Sequence, residues 1–588
     1  MKNILIVCLL SFNVVSGFSC RKNGIKDNTG LINRNDSAIV NISTDKAAYS
    51  PGSQVVFKID KDLPGGTFII YKYLNKEIDR QTLNGNIWKW TAPTQDFTGY
   101  MVELSGNENG KDKIFGCIAV DVSSDPARFP RNGFLSEYGE KTSGEINNVM
   151  SYLNRLHMNW IQFQDWEFKH HMPLAGTPAN PAASWKDIAN RTNYKSTVQG
   201  YIQSAKSFNM KTLSYNLCYG ALNDAAADGV SEEWYLFSDK NHTNKDVFKL
   251  PSPPFKSWIY FVNPANKRWQ NYLVARNDDM YKVYDFDGYQ IDQVGNRDKT
   301  LYDYNGTEVD LPLTFNPFIN AMKAGDPDKA LVMNAVNQYG QEGIATAPVD
   351  FLYSEVWAPN EEYSDLAKII QANNKFSNNT KQTILTAYMD YNLAENPGYF
   401  NTPGVLLTDA VIFSFGGAHL ELGDHMLGKE YFPNHNLQMR DDLKTAMIHY
   451  YDFLTGYQNI LRDGGTFNNP SVTSGDQKIK LNNWPPATGS VSVIGKEVGN
   501  RQVIHFINFS NASSLEWRDA DGKQPLPPTF ADCRINLQTS KKVKNIWFAS
   551  PDINEGASQD ISFNQSDDRI TFTLPFLKYW DMVVVEYE

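Results

Sequence analysis

Asp287-Gly288-Tyr289-Gln290-Ile291-Asp292-Gln293 is the stretch on which the fold turns. Strand alternation puts Gly288, Gln290 and Asp292 on one face and turns Tyr289 and Ile291 to the other, so an uncharged run ends in a carboxylate at its C-terminal tip. Seven further apolar runs of similar length lie on either side. They are Gly133 to Tyr138, Trp160 to Trp166, Thr212 to Leu217, Ala330 to Val336, Phe351 to Trp357, Thr383 to Met389 and Ala410 to Phe415, each separated from the next by helical or loop-rich sequence. Eight such strands over roughly 300 residues predict a parallel (β/α)₈ barrel with long loop insertions.

The pattern changes on both sides of this region. Before it, short alternating runs such as Gln54-Val55-Val56-Phe57-Lys58-Ile59 are punctuated by Pro51-Gly52 and Pro64-Gly65-Gly66, which predicts an immunoglobulin-like sandwich. After it, Ser490-Val491-Ser492-Val493-Ile494 and Met582-Val583-Val584-Val585 predict a second antiparallel sandwich. The expected chain is therefore multidomain, α/β plus all-β. It comprises an N-terminal β domain at 37–124, a TIM barrel at 125–479 and a C-terminal β-sandwich at 480–588. A length of 588 residues exceeds what one core supports and agrees with several domains.

At the N-terminus, Lys2, an apolar run from Ile4 to Val15, and Ser16-Gly17-Phe18-Ser19-Cys20 read as a lipoprotein signal peptide over 1–20. Cys20 is the expected lipid attachment site, and residues 21–36 form a polar linker. The expected location is a bacterial cell envelope, with the membrane met only through that anchor. A net charge of −11 supplies no basic footprint for nucleic acid, and that partner class is set aside. Cys117, Cys218 and Cys533 are too scattered for a disulfide framework or a zinc site.

Catalytic groups of such a barrel sit at the C-terminal ends of its strands. Asp292 ends the fourth strand. Phe351-Leu352-Tyr353-Ser354-Glu355-Val356-Trp357 repeats the logic in the sixth, with Trp357 beside Glu355. Two carboxylates on strands four and six can face each other across the mouth, the pairing that glycoside hydrolysis requires. Other strand ends offer sugar ligands: Asp165 and Trp166, Tyr215 and Asn216, Asn334, and Tyr388. The loop Gly416-Gly417-Ala418-His419-Leu420-Glu421-Leu422-Gly423-Asp424-His425 adds imidazoles and carboxylates. His170 and His171 with Glu167, or His419 with Asp424 and His425, lack a recognised metal-ligand spacing, so neither a metal nor a cofactor is expected.

These motifs, with Phe129-Pro130-Arg131-Asn132-Gly133-Phe134-Leu135-Ser136 and Phe261-Val262-Asn263-Pro264, resemble glycoside hydrolase family 66, which holds dextranases and cycloisomaltooligosaccharide glucanotransferases. The resemblance covers about 300 residues in order. It implies a retaining, endo-acting dextranase that hydrolyses α-1,6-glucan, with Asp292 as nucleophile and Glu355 as acid/base. Its sugar contacts would come from Asp165, Trp166, Tyr215, Asn216, Asn263, Gln290, Asn334, Trp357, Tyr388, His419, Glu421 and Asp424. Expected partners are dextran, isomaltooligosaccharides and other glycan-uptake proteins. Two alternatives remain open: a cycloisomaltooligosaccharide glucanotransferase, and a surface lipoprotein that only binds glycan.

Overall fold

The computed structural model describes residues 40–588 apart from residue 109, so the expected signal peptide, Cys20 and the whole of the linker lie outside the described residues. Within them the chain is a mixed α/β protein rich in sheet. No helix among the described residues is long and apolar enough to cross a membrane.

Eight short strands run parallel: β1 (Asn132–Leu135), β2 (Trp160–Phe163), β3 (Lys211–Leu217), β4 (Gly288–Asp292), β5 (Ala330–Met333), β6 (Leu352–Glu355), β7 (Thr383–Thr386) and β8 (Ala418–His419). The first five form one sheet in sequence order and the last three another. Parallel bridges Asn334↔Tyr353 and Phe134↔Gly423 join the two sheets at both of their edges. Helices separate successive strands, among them Ser143–Arg155, Lys195–Ser207, Lys267–Tyr281, Leu311–Gly325 and Tyr363–Phe376. Their starts follow local chemistry. Thr142 and Glu145 form a capping box, and Asn266 accepts hydrogen bonds from the backbone of Arg268 and Trp269.

Two glycines show how closely these strands pack. A Cβ on Gly288 would lie 2.3 Å from the Ala330 carbonyl oxygen, and one on Gly423 would lie 2.3 Å from that of Phe134. Both positions abut a neighbouring strand through bare backbone.

One expected strand is corrected. Residues 410–415 belong to the helix Thr402–Ser414, and the eighth strand is Ala418–His419. Every residue from Gly404 to Ser414 is buried, so that helix is apolar on all sides and lacks the periodicity that would distinguish it from a strand.

Residues 40–122 form two antiparallel sheets, one of three strands and one of four, around a shared cluster that includes Val55, Phe57, Tyr71, Trp88, Trp90 and Ile118. The C-terminal region holds a seven-stranded and a four-stranded sheet around Val491, Phe506, Ile535, Phe548 and Phe572. Strands that join these sheets begin at Thr466–Asn468 and Val472–Ser474, ahead of the expected start at 480. Arg131 ties the N-terminal sheets to β1: fully buried, it pairs with Asp121 at 2.6 Å and donates to the carbonyls of His157 and Phe129.

Candidate active site

Register brings the two predicted carboxylates together. Ile291 pairs with Met333, which sets Asn334 beside Asp292, and the Asn334↔Tyr353 bridge carries the same asparagine to within reach of Glu355. Asn334 Nδ2 donates to Asp292 Oδ1 at 2.8 Å and to Glu355 Oε2 at 2.8 Å. These two oxygens can therefore be no farther apart than twice 2.8 Å, about 5.6 Å. Two N–H directions diverging by about 120° give a separation of about 4.8 Å. The other Asp292 oxygen accepts from Tyr215 at 2.7 Å, and Glu355 Oε1 accepts from Trp357 Nε1 at 2.9 Å and the Tyr388 hydroxyl at 2.8 Å.

The electrostatics separate the pair. Burial raises Glu355, the nearby Asp292 charge raises it further, and the balance lies at about 7 despite three hydrogen bonds that lower it. Burial also raises Asp292, while Tyr215 and Asn334 pull it back. Asp292 is thus the member that ionises first, and Glu355 holds a proton close to neutrality.

The pair opens into a cleft of about 780 Å³ lined also by Asp165, Gln162, Gln164, His170, Gln290, Tyr353, Trp357 and Tyr388. Asp165 has a left-handed backbone, with φ of 49°, and its carboxyl is raised to about 7 by burial and then by the Glu167 charge. His170 Nδ1 lies 2.9 Å from Glu167 and 3.2 Å from Asn216 Oδ1. Its Nε2 and the Gln290 side-chain oxygen are buried without a hydrogen-bond partner, leaving open valences in the wall of the cleft. One rim of the cleft is built by Phe248, Lys249, Leu250, Pro251, Pro254 and Phe255, and another by Glu430, Tyr431 and Phe432. Sequence reasoning missed both. The first left a signal, an apolar and proline-rich run inside an otherwise polar excursion.

Six predicted sugar contacts do not line the cleft. Trp166 is fully buried among the rings of Trp185, Tyr284 and Phe286 and has no face free for stacking. Asn216 holds His170 from behind, and Asn263 accepts from the Ala265 amide ahead of the helix Lys267–Tyr281. His419 and Glu421 lie in the core, where the imidazole contacts Asp409 at 2.8 Å and Glu421 at 3.2 Å. Asp424 is spent on the amides of Ser136 and Glu137 and on His425. All six lie at or near strand ends, but their side chains are engaged elsewhere in the fold.

Among the described residues, two clusters have donor sets that could hold a cation. In the first, Asp224 and Asp228 beside His171 already receive the Lys169 ammonium, at 2.7 Å from each. In the second, burial would depress His419, but the Glu421 charge and the hydrogen bond to Asp409 raise it to about 10, so the imidazolium itself supplies the positive charge between Asp409 and Glu421.

A buried carboxyl pair with split proton affinities, set at the C-terminal ends of parallel strands, is the type of site found in glycosidases. The chain belongs to glycosyl hydrolase family 66, whose profile matches residues 44–584. It is 26% identical to a cycloisomaltooligosaccharide glucanotransferase of Niallia circulans, over 99% of this chain and 74% of that protein. It is 22% identical to a dextranase of Streptococcus salivarius, over 83% of this chain and 67% of that protein. A crystal structure of a Paenibacillus sp. cycloisomaltooligosaccharide glucanotransferase complexed with cycloisomaltoheptaose has the same fold. It superposes with a TM-score of 0.85 at 24% identity, covering 93% of this chain and 99% of that one.

Proposed function

We propose that the chain is an endo-acting, retaining dextranase that cleaves α-1,6-glucosidic bonds, with Asp292 as nucleophile and Glu355 as acid/base. The observation that carries this reading is the single Asn334 amide shared by both carboxylates, which holds one oxygen of each within about 5.6 Å of the other. Retaining glycosidases need about 5–5.5 Å between the two groups, whereas inverting ones need roughly 6.5–9.5 Å to admit a water. In this mechanism Asp292 attacks the anomeric carbon while protonated Glu355 gives its proton to the departing glycosidic oxygen. Glu355 then takes a proton from water, which releases the sugar from the covalent glycosyl-enzyme. His170, Asp165 and Gln290 are suited to sugar hydroxyls, and Trp357 to a ring face.

The architecture that suits this reading is one closed (β/α)₈ barrel made of both parallel sheets, flanked by an N-terminal immunoglobulin-like sandwich and a C-terminal sandwich that starts near residue 466. The bridges at both sheet edges support closure. Lipid attachment at Cys20 in a cell envelope completes the proposal.

Dextranase is favoured over glucanotransferase by chain content. The alignment with the Niallia circulans protein runs to 743 positions against 588 residues here, so that relative carries at least 155 positions with no counterpart in this chain. A chain lacking such inserted material suits a plain hydrolase. The test is incubation of the protein lacking residues 1–20 with dextran, beside Asp292→Ala and Glu355→Ala. Linear isomaltooligosaccharides from the wild type and losses of several orders of magnitude in both variants are expected. Cyclic products would assign a transferase, and no cleavage by the folded wild type would refute the substrate.

A further inference from the structure

The segment after the C-terminal strand Arg501–Phe509 leaves its own sheets and crosses to the ends of β6 and β7. Its attachment is mostly through backbone. Tyr363 N donates to Leu515 O at 3.0 Å, Trp517 N to Glu361 O at 3.1 Å, Asp390 N to Arg518 O at 2.9 Å and Asn392 N to Ala520 O at 2.8 Å. Trp517 Nε1 also donates to Asn360 O at 2.7 Å, and Thr408 Oγ1 to Trp517 O at 2.9 Å. Six bonds to three stretches of loop and helix, at 360–363, 390–392 and Thr408, fix this crossing in one position.

At its centre is Arg518. Its Nη2 donates to Val356 O at 3.0 Å, one residue beyond Glu355, and its Nη1 donates to Tyr388 O at 3.2 Å. The flat guanidinium lies over Trp357 at 4.9 Å, Trp517 at 4.6 Å and Tyr391 at 5.2 Å. Trp357 and Tyr388 are the two side chains that donate to Glu355 Oε1. One planar cation therefore grips the backbone of one donor, packs on the ring of the other, and holds the carbonyl between Glu355 and Trp357.

We infer that Arg518, delivered by the C-terminal region, is a positioning residue that sets the geometry of Glu355 through Trp357 and Tyr388. The inference rests on Glu355 as the acid/base. It makes the C-terminal region part of the active site rather than an appendage to it. Arginine suits the task because only its rigid fork reaches two carbonyls while its face stacks on rings; lysine offers a point charge without a plane. Loss of Arg518 loosens two donors that favour ionised Glu355 and removes a nearby cation, and both effects raise the Glu355 carboxyl.

The test compares Arg518→Met with the wild type on two substrates, dextran and a 4-nitrophenyl α-isomaltooligoside, whose nitrophenolate departs without a proton. Because kcat/KM reports the first bond cleavage, a misplaced acid penalises dextran alone. The expected loss on dextran is about 10–100-fold, and on the nitrophenyl substrate under about 3-fold. The basic limb of the dextran profile should also move to higher pH. Equal losses on both substrates, or an unmoved basic limb, would overturn the positioning role. If Arg518→Met does not fold, Arg518→Lys takes its place, and the same selective loss on dextran is required of it. Glu355→Gln, assayed in parallel, separates the two claims. Wild-type dextran cleavage by that variant refutes the acid/base reading itself, whereas an inactive Glu355→Gln beside an unaffected Arg518→Met refutes only the role of Arg518.

Discussion

Replacing Glu355 by Gln should stabilise the protein at alkaline pH and leave its stability unchanged in acid. An ordinary glutamate ionises near 4.5, and in the fold Glu355 is raised to about 7. Between those values the folded chain holds a proton that the unfolded chain has released, so stability falls as pH climbs through that window and the deficit is complete above it. A shift of about 2.5 units at 1.36 kcal/mol each gives an upper bound of about 3.4 kcal/mol. Coupling to Asp292 and partial solvent access reduce this to about 1–3 kcal/mol. Unfolding entropy near 2.1 cal/mol/K per residue amounts to roughly 1.2 kcal/mol/K for about 550 residues, so the variant should melt about 1–3 °C higher than wild type at pH 8. At pH 4.5 the difference should vanish. Calorimetry of both proteins across this range is the assay. A variant that melts at or below the wild-type temperature at pH 8 would show that the site prefers a carboxylate at position 355, and the argument for a protonated acid would fail.

Tyr388→Phe removes a donor that lowers Glu355, and the basic limb of kcat/KM on dextran should move to higher pH; a shift toward acid would contradict the hydrogen bond at 2.8 Å. Asn334→Ala deletes the amide between the two carboxylates and should cost about 100-fold in kcat/KM with unchanged circular dichroism, and a loss under about 3-fold would remove Asn334 from the mechanism. Arg131→Met leaves Asp121 buried without its cation and should destabilise by about 3–5 kcal/mol in urea titration. Gly288→Ala would drive a methyl group against the Ala330 carbonyl oxygen at 2.3 Å, and little soluble protein is expected at 37 °C.

Much of the carboxylate pair was legible because strand chemistry is local. Asp292 and Glu355 each end a short apolar run, Gln290 shares the strand of Asp292, and Tyr215, Asn334 and Tyr388 lie at or just past the ends of other strands. All six meet at one cleft, together with Asp165 and Trp357. The eighth strand was misread because a helix buried on every side has no periodicity to betray it. Trp166, Asn216, Asn263, His419, Glu421 and Asp424 lie off the cleft for a different reason: a residue at or near a strand end can face the mouth or be engaged elsewhere in the fold, and sequence position does not distinguish the two.

The sequence by itself determined seven of the eight parallel strands and which two acids were candidates, because alternation and apolar runs are properties of neighbouring residues. Only the tertiary structure decided what those acids experience. The shared Asn334 amide depends on the register of three strands, and the raised Glu355 depends on burial beside Asp292. The clamp by Arg518 joins residues more than 100 positions apart. Distances, desolvation and long-range contacts are set by packing, and packing is not a local property of the chain.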